Sequence, residues 1–384
     1  VLTGTDNVSI YGGFECSGWG HKGAKSKIAV TQGGDVALDV DKAKNASFQD
    51  LVIEGPAEGA PNSIAARVTD SNLVSFKRVK LIAGNGQSQP KAADGATLAL
   101  KSTDPAPDAG GPIPKGEPGK NTTGGGTKTC TCEDNSTSIG GGGGAGSGGG
   151  GVMGQPDLGG GAPVDGKGGA TSAASCAAGL GHDGASASDA MHAASVTTPG
   201  AIDARRWVGA MGAAGKNGGP GQGGGGGSGP AGASTGGGGG GGCGGCGGVG
   251  GKGGVGGGAS IALLLVNSAV SLEVLEGVTK RGGAAGGGGV GGAGAVGGAG
   301  GGGGNGAVAD GCAGGYGGKG GKGGAGAGGA GGISVGIVYK GTKPTGADAI
   351  NWTGDSGGEG GAEGDTGAGN AGPKGISEKL YEVK

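Results

Sequence analysis

The chain is predicted to be all-β: a right-handed parallel β-helix with glycine-rich polyproline II bundles inserted between its rungs. Three observations carry this. Short strand-like segments follow one another without helices, a strand–corner–strand unit recurs at long range, and two glycine tracts place their side chains at every third position.

Residues 1–104 read as β-helix rungs. Segments 8–14, 27–31, 36–40, 47–54, 63–68, 73–83 and 97–101 are β-branched or alternate apolar with polar residues between Gly, Asn and Asp breaks, the pattern of half-buried strands. In residues 35–41 the apolar side is Val36, Leu38 and Val40, so Asp35, Asp39 and Asp41 are expected on a solvated outer face. Residues 63–76 line up without gaps on 260–272, with a shorter echo at 333–339. Each copy reads as one rung. The chain therefore divides into rungs at 1–104, a loop and glycine-rich region with one or two short helices at 105–259, a rung at 260–281, a bundle at 282–332 and a terminal rung with a polar tail at 333–384. In that last part Ile350, Trp352 and Ile376 are expected to close one end of the stack.

In the first tract the residues that are not glycine fall at Cys243, Cys246, Val249, Lys252 and Val255. In the second, Val290, Ala293, Val296 and Ala299 keep the spacing, and Tyr316, Lys319, Lys322 and Ala325 resume it. A period of three fits neither an α-helix nor a strand, but it is the screw of polyproline II. Collagen would need one Gly per triplet and abundant Pro, whereas these triplets carry two Gly. The competing reading is a flexible linker, and a spacer has no reason to hold Val and Cys in register. Glycine buries no side chain, so rods must be held by hydrogen bonds exchanged sideways, at a separation that only glycine permits. Residues 282–332 should leave the rungs and return to nearly the same place as antiparallel rods. Turns are expected at Asn305 and at residues 310–312, with several short rods favoured over two of about 25 residues.

With 117 Gly in 384 residues, 33% hydrophobic and 3% aromatic, the chain has no material for a large conventional core. A net charge of -2 with mixed signs argues against nucleic acid, and no apolar run approaches the ~18 residues of a membrane span. Val1 lies in strand-like sequence, which reads as a processed piece of a longer secreted precursor. Seven cysteines, Cys16, Cys130, Cys132, Cys176, Cys243, Cys246 and Cys312, favour an oxidising compartment. Three residues of polyproline II span ~9.3 Å, beyond the ~7 Å reach of a disulfide, so Cys243 and Cys246 should bond to other segments and not to each other.

The element Ser9-Ile10-Tyr11-Gly12-Gly13-Phe14, followed by Cys16 and Trp19, resembles one in large secreted β-helix proteins of bacteria, particularly of myxobacteria, where it precedes rungs with glycine-rich inserts. That resemblance implies a secreted parallel β-helix and carries over no catalytic residue. The glycine tracts resemble the polyproline II bundles of phage tail-tip adhesins and of snow flea antifreeze protein in composition and period.

No motif promises chemistry. Residues 161–167 nearly spell a P-loop, but Gly168 replaces the magnesium-binding Ser or Thr. His182, Asp183 and Ser186 are adjacent in sequence, which is not triad geometry. Asp35, Asp39 and Asp41 could serve calcium or sugar, with a solvated face the stronger reading. Asn7, Asn45, Asn121, Asn135 and Asn351 begin glycosylation sequons. The expected function is an extracellular structural protein: a subunit of a surface fibre or filament, or an adhesin, not an enzyme, with no cofactor or metal. Its expected partners are other copies of itself and surface glycans. The alternatives are a glycan-binding or glycan-cleaving β-helix and an ice-binding protein, the latter disfavoured by Lys252, Lys319 and Lys322.

Overall fold

The computed structural model describes the chain except residues 16, 17, 19, 31–33, 102–112 and 160–164. The chain winds through stacked coils. The first holds β1 (Leu2–Thr3), β2 (Ser9–Tyr11) and β3 (Ser26–Ala29); the second β4 (Val36–Asp41), β5 (Ser47–Gln49) and β6 (Leu51–Glu54); the third β7 (Ser63–Thr69), β8 (Val74–Lys77) and β9 (Lys80–Ile82). A long insertion follows, with hairpins β10 (Lys128–Thr131)/β11 (Thr137–Gly140) and β12 (Gly200–Asp203)/β13 (Arg206–Gly209), and one helical turn, α1 (Cys176–Gly179). The fourth coil is β14 (Ser260–Val266), β15 (Val270–Glu273) and β16 (Glu276–Val278). The fifth contributes β17 (Ser334–Lys340) and β18 (Asn351–Thr353), and the last β19 (Ser377–Glu382). They form three parallel sheets, ordered β1-β4-β7-β14-β17-β19, β15-β8-β5-β2 and β18-β16-β9-β6-β3.

The sharp corners between sheets demand left-handed backbone, and positive φ recurs at stacked positions. Lys42, Asp70 and Asn267 occupy one corner, and Asp50, Arg78 and Val274 another. Between the sheets the core fills with stacked like residues. Val40, Val68 and Leu265 are buried, and Phe48 lies on Phe76 with ring centroids 5.1 Å apart. Gly277 and Gly336 lack side chains where Trp352 packs; a Cβ on Gly336 would lie 2.8 Å from its indole.

The long sheet has one stacked kink. Ile261 pairs with Ile64 and Leu263 with Ala66, skipping Ala262 and Ala65, and the same step recurs in β4 and β17. Alternation slips there by one residue, as in a bulge. Ile64, Ile261 and Val335 therefore face outward, where the β12/β13 hairpin covers them with Trp207, while Ala66, Leu263 and Ile337 face the interior. The β7 and β14 partners differ by 197 residues but those of β8 and β15 by 196. The repeat is thus not gapless: the third coil has one extra residue between β7 and β8, near the exposed Leu73.

All three insertions, 83–259, 279–333 and 354–376, leave from the end of the third sheet and return to the first strand of the next coil. Their glycine stretches run side by side. The 282–332 tract returns as expected, since β17 pairs in parallel with β14. It does so as two long rods rather than several short ones. Gly311, Gly314, Gly317, Gly320, Gly323, Gly326, Gly329 and Gly332 donate in turn to Gly304, Gly301, Gly298, Ala295, Gly292, Gly289, Gly286 and Gly283. The tract turns once, at 305–310, where the Asp310 carboxylate accepts from the Gly306 N–H, because Gly311 and Cys312 are already in the second rod's ladder. Two long rods win because each step adds hydrogen bonds to flanking rods, whereas every turn forfeits some.

The first tract is the centre of this bundle. Gly239, Gly242, Gly245, Gly248, Gly251, Gly254 and Gly257 donate to the 311–332 rod, while Val249, Lys252 and Gly258 donate to the 84–98 stretch. The central rod accepts from 282–304 and from 210–229, and 113–120, 124–126 and 140–146 complete its surroundings. The expected strand at 97–101 makes only isolated bridges, Thr97 to Gly248 and Leu100 to Cys132. The region expected to be helical keeps only α1, because 181–193 is a rod and Asp203 to Trp207 lie in the hairpin.

A Cβ on Gly245 would stand 1.9 Å from the Ala295 carbonyl oxygen, while one on Gly302 would meet nothing. Gly245→Ala should therefore destabilise the fold by about 2–3 kcal/mol, read as a lower denaturation midpoint. Gly302→Ala should change it by less than about 0.5 kcal/mol.

Candidate functional site

The bundle carries the side chains that the three-residue register singles out. On the central rod the register begins buried and ends exposed. Cys243 and Cys246 are fully buried, Val249 is half-buried, and Lys252 and Val255 reach the surface. On the second tract Ala293 and Val296 are exposed, and Val290 and Ala299 are half-buried. Tyr316 and Lys319 are exposed, and Lys322 pairs with Asp365.

The cysteines lock the bundle as their spacing requires. Cys130 bonds to Cys243, Cys132 to Cys246 and Cys176 to Cys312, with sequence separations of 113, 114 and 136. Neither the 130/132 pair nor the 243/246 pair bonds internally. Loops of this length are worth about 4–5 kcal/mol each in the chain-entropy account. Cys16 and Trp19 lie outside the described residues.

Sequence reasoning missed how the edges of the bundle are finished. A rod of period three has a row of N–H groups on each side, and at the surface one row lacks a neighbouring backbone. Rod 181–193 supplies side chains instead. Asp183 accepts from the Tyr316 N–H at 2.8 Å, Ser186 from Lys319 at 3.3 Å, Asp189 from Lys322 at 3.0 Å and His192 from Ala325 at 3.0 Å. On another side Ser88 accepts from Ala284 and Asp94 from Val290. The signal was present as Asp-x-x-Ser-x-x-Asp-x-x-His, polar acceptors in the glycine period. His182, Asp183 and Ser186 thus form no triad: Asp183 and Ser186 are backbone caps.

The carboxylates of β4 are not merely solvated. Asp39 holds Arg67 in a two-point ion pair of 2.9 and 2.5 Å. Asp41 is buried, accepts from Thr69 and pairs with Arg205 at 2.7 Å. Burial raises the Asp41 pKa, but Arg205 and Thr69 outweigh it and leave it lowered. Arg205 sits at the turn of the β12/β13 hairpin, so these charges pin that hairpin to the sheet. Arg78 grips Asp50 at 2.8 and 2.7 Å and holds its carboxyl well below the usual range. Among the described residues no group of three or more His, Cys, Asp or Glu is placed to hold a metal ion, and no helix is long and apolar enough to cross a membrane. Of the P-loop-like residues, 161–164 lie outside the described residues.

No protein-family model, curated protein or solved structure matches the chain. Its reading rests on its own geometry.

Several bundle carboxylates have lowered pKa values: Asp94 through Lys91 and the Val290 N–H, Glu363 through the Gly367 and Gly369 N–H groups, and Asp365 through Lys322. Such groups contribute fully above the unfolded value, near 4, and lose their contribution as pH falls through the lowered folded value. Because Asp50 acts in the same direction, the thermal midpoint should hold from neutrality to about pH 4 and fall below it. Asp189→Ala should lower stability by about 0.5–1 kcal/mol and speed amide exchange at Lys322, measured by hydrogen exchange. Non-reducing peptide mapping should recover the three disulfides.

Proposed function

We propose that this is an extracellular structural protein, a subunit of a surface fibre or an adhesin, built as a right-handed parallel β-helix with polyproline II bundles. Right-handed winding is what parallel crossovers in one sheet follow almost without exception. The three-residue hydrogen-bond period supports polyproline II, and the likeness of residues 9–14 to secreted bacterial β-helix proteins supports the location. Three disulfides fit an oxidising compartment.

One observation carries the reading: a disulfide-locked glycine bundle leaves the coils from a single corner. At ~3.1 Å per residue the 283–304 rod reaches about 70 Å, so the bundle is a stiff arm. Its centre is backbone packed on backbone.

Electron microscopy of the purified protein tests this. The expected image is a particle with a lateral arm of about 70 Å, assembling into ordered fibres or decorating a cell surface. Dispersed particles without an arm, or random-coil amide exchange through 236–258, would overturn it.

A further inference from the structure

We infer that the groove between the 282–304 and 311–332 rods is a docking seat for a separate Gly-Gly-Xaa polypeptide whose Xaa residues include acidic ones. The chain itself fills the base of this groove. Gly282, Ala285 and Gly288 donate to the carbonyls of Ser356, Glu359 and Ala362 at 3.1, 2.9 and 3.0 Å. In return the Gly358 and Gly361 N–H groups donate to Gly332 and Gly329 at 2.8 and 2.9 Å. The occupying segment is Ser-Gly-Gly-Glu-Gly-Gly-Ala, with Gly against the rods and Glu359 and Ala362 in the register positions.

After Ala362 this occupant turns away. The Glu363 carboxylate takes the Gly367 and Gly369 N–H groups, and Asp365 pairs with Lys322. The two rods continue. Along the same donor row the N–H groups of Gly297, Gly300 and Gly303 have no hydrogen-bond partner among the described residues. Along the same acceptor row the Gly314, Gly317 and Gly320 carbonyls likewise have none. The rows line one groove, since a Cβ on Gly297 would stand 2.0 Å from the Gly317 oxygen and one on Gly300 1.9 Å from that of Gly314. This stretch, without an occupant among the described residues, therefore continues an established interface, with the same kinds of donors and acceptors in the same register. By contrast, the neighbouring Tyr316–Ala325 N–H row is capped by the chain's own side chains.

The banks define the occupant. Val296 is 72% exposed on one side and Tyr316 60% on the other, with Lys319 exposed beside it. An extended guest would give its carbonyls to one row and its N–H groups to the other, as strands do when they extend a sheet. Only glycine lets it sit that close, and acidic side chains at every third position would meet Lys319. The inference rests on the rod geometry of the proposed function but not on where the protein acts.

The test uses the whole protein and a dye-labelled peptide of repeated Gly-Gly-Glu, with fluorescence anisotropy and amide exchange as separate readouts. Saturable binding is expected, at least about tenfold tighter than for a peptide of the same composition with the triplet register broken. Exchange should slow at residues 294–303 and not in the central rod. Lys319→Glu, on an exposed side chain, should weaken binding severalfold without altering the circular dichroism spectrum. Absence of binding, equal binding of both peptides or unchanged exchange at 294–303 would overturn the inference while leaving the arm intact. Self-association that buries 294–303 and resists the peptide would assign the groove to a second copy and overturn it as well.

Discussion

The bundle depends on one interaction, the hydrogen bond between the backbones of neighbouring glycine rods. The central rod's backbone hydrogen bonds run to neighbouring segments and not within the rod, so every buried N–H and C=O in it must find a partner on another rod. These bonds form only where no Cβ stands between the backbones. Glycine burial returns almost nothing through the hydrophobic effect, while ordering each residue costs about 1–2 kcal/mol. The bundle is therefore held by saturation of polar groups, helped by disulfides that close loops of more than a hundred residues.

The coils and the rods need one another geometrically. Strands of successive coils lie about 4.8 Å apart, and rods joined by N–H···O=C bonds through glycine can approach about as closely. Insertions that leave successive coils from one corner thus start in position to bond. The ladder from Gly332 to Gly283 begins beside the pairing of Ser334 with Ser260. The coils provide the hydrophobic core that the rods lack, seen in the Phe48–Phe76 stack and the burial of Leu263 and Ile337. Each half supplies what the other cannot.

Charged and polar side chains act mainly at boundaries. Asp39 and Asp41 fasten a hairpin through Arg67 and Arg205, Asp50 and Arg78 tie neighbouring corners, and Asp183, Ser186 and Asp189 finish an edge of the bundle. An exposed rod edge poses the problem of an exposed strand edge. The solution here is a row of side-chain acceptors repeating every three residues.

The sequence by itself determined the period of three, the order of strands in the first coils, the return of the 282–332 tract and the separation of Cys243 from Cys246. Each is a local or repeating pattern of side chains, and side chains are what a sequence records. Only the tertiary structure decided that 236–258 is the central rod, that the tract makes two long rods, that 181–193 is a rod and not a helix, and that its Asp and Ser are caps. Those facts depend on which backbone lies beside which. One glycine N–H is chemically the same as another, so no residue type marks its partner, and only the stacking of the coils brings the rods into register.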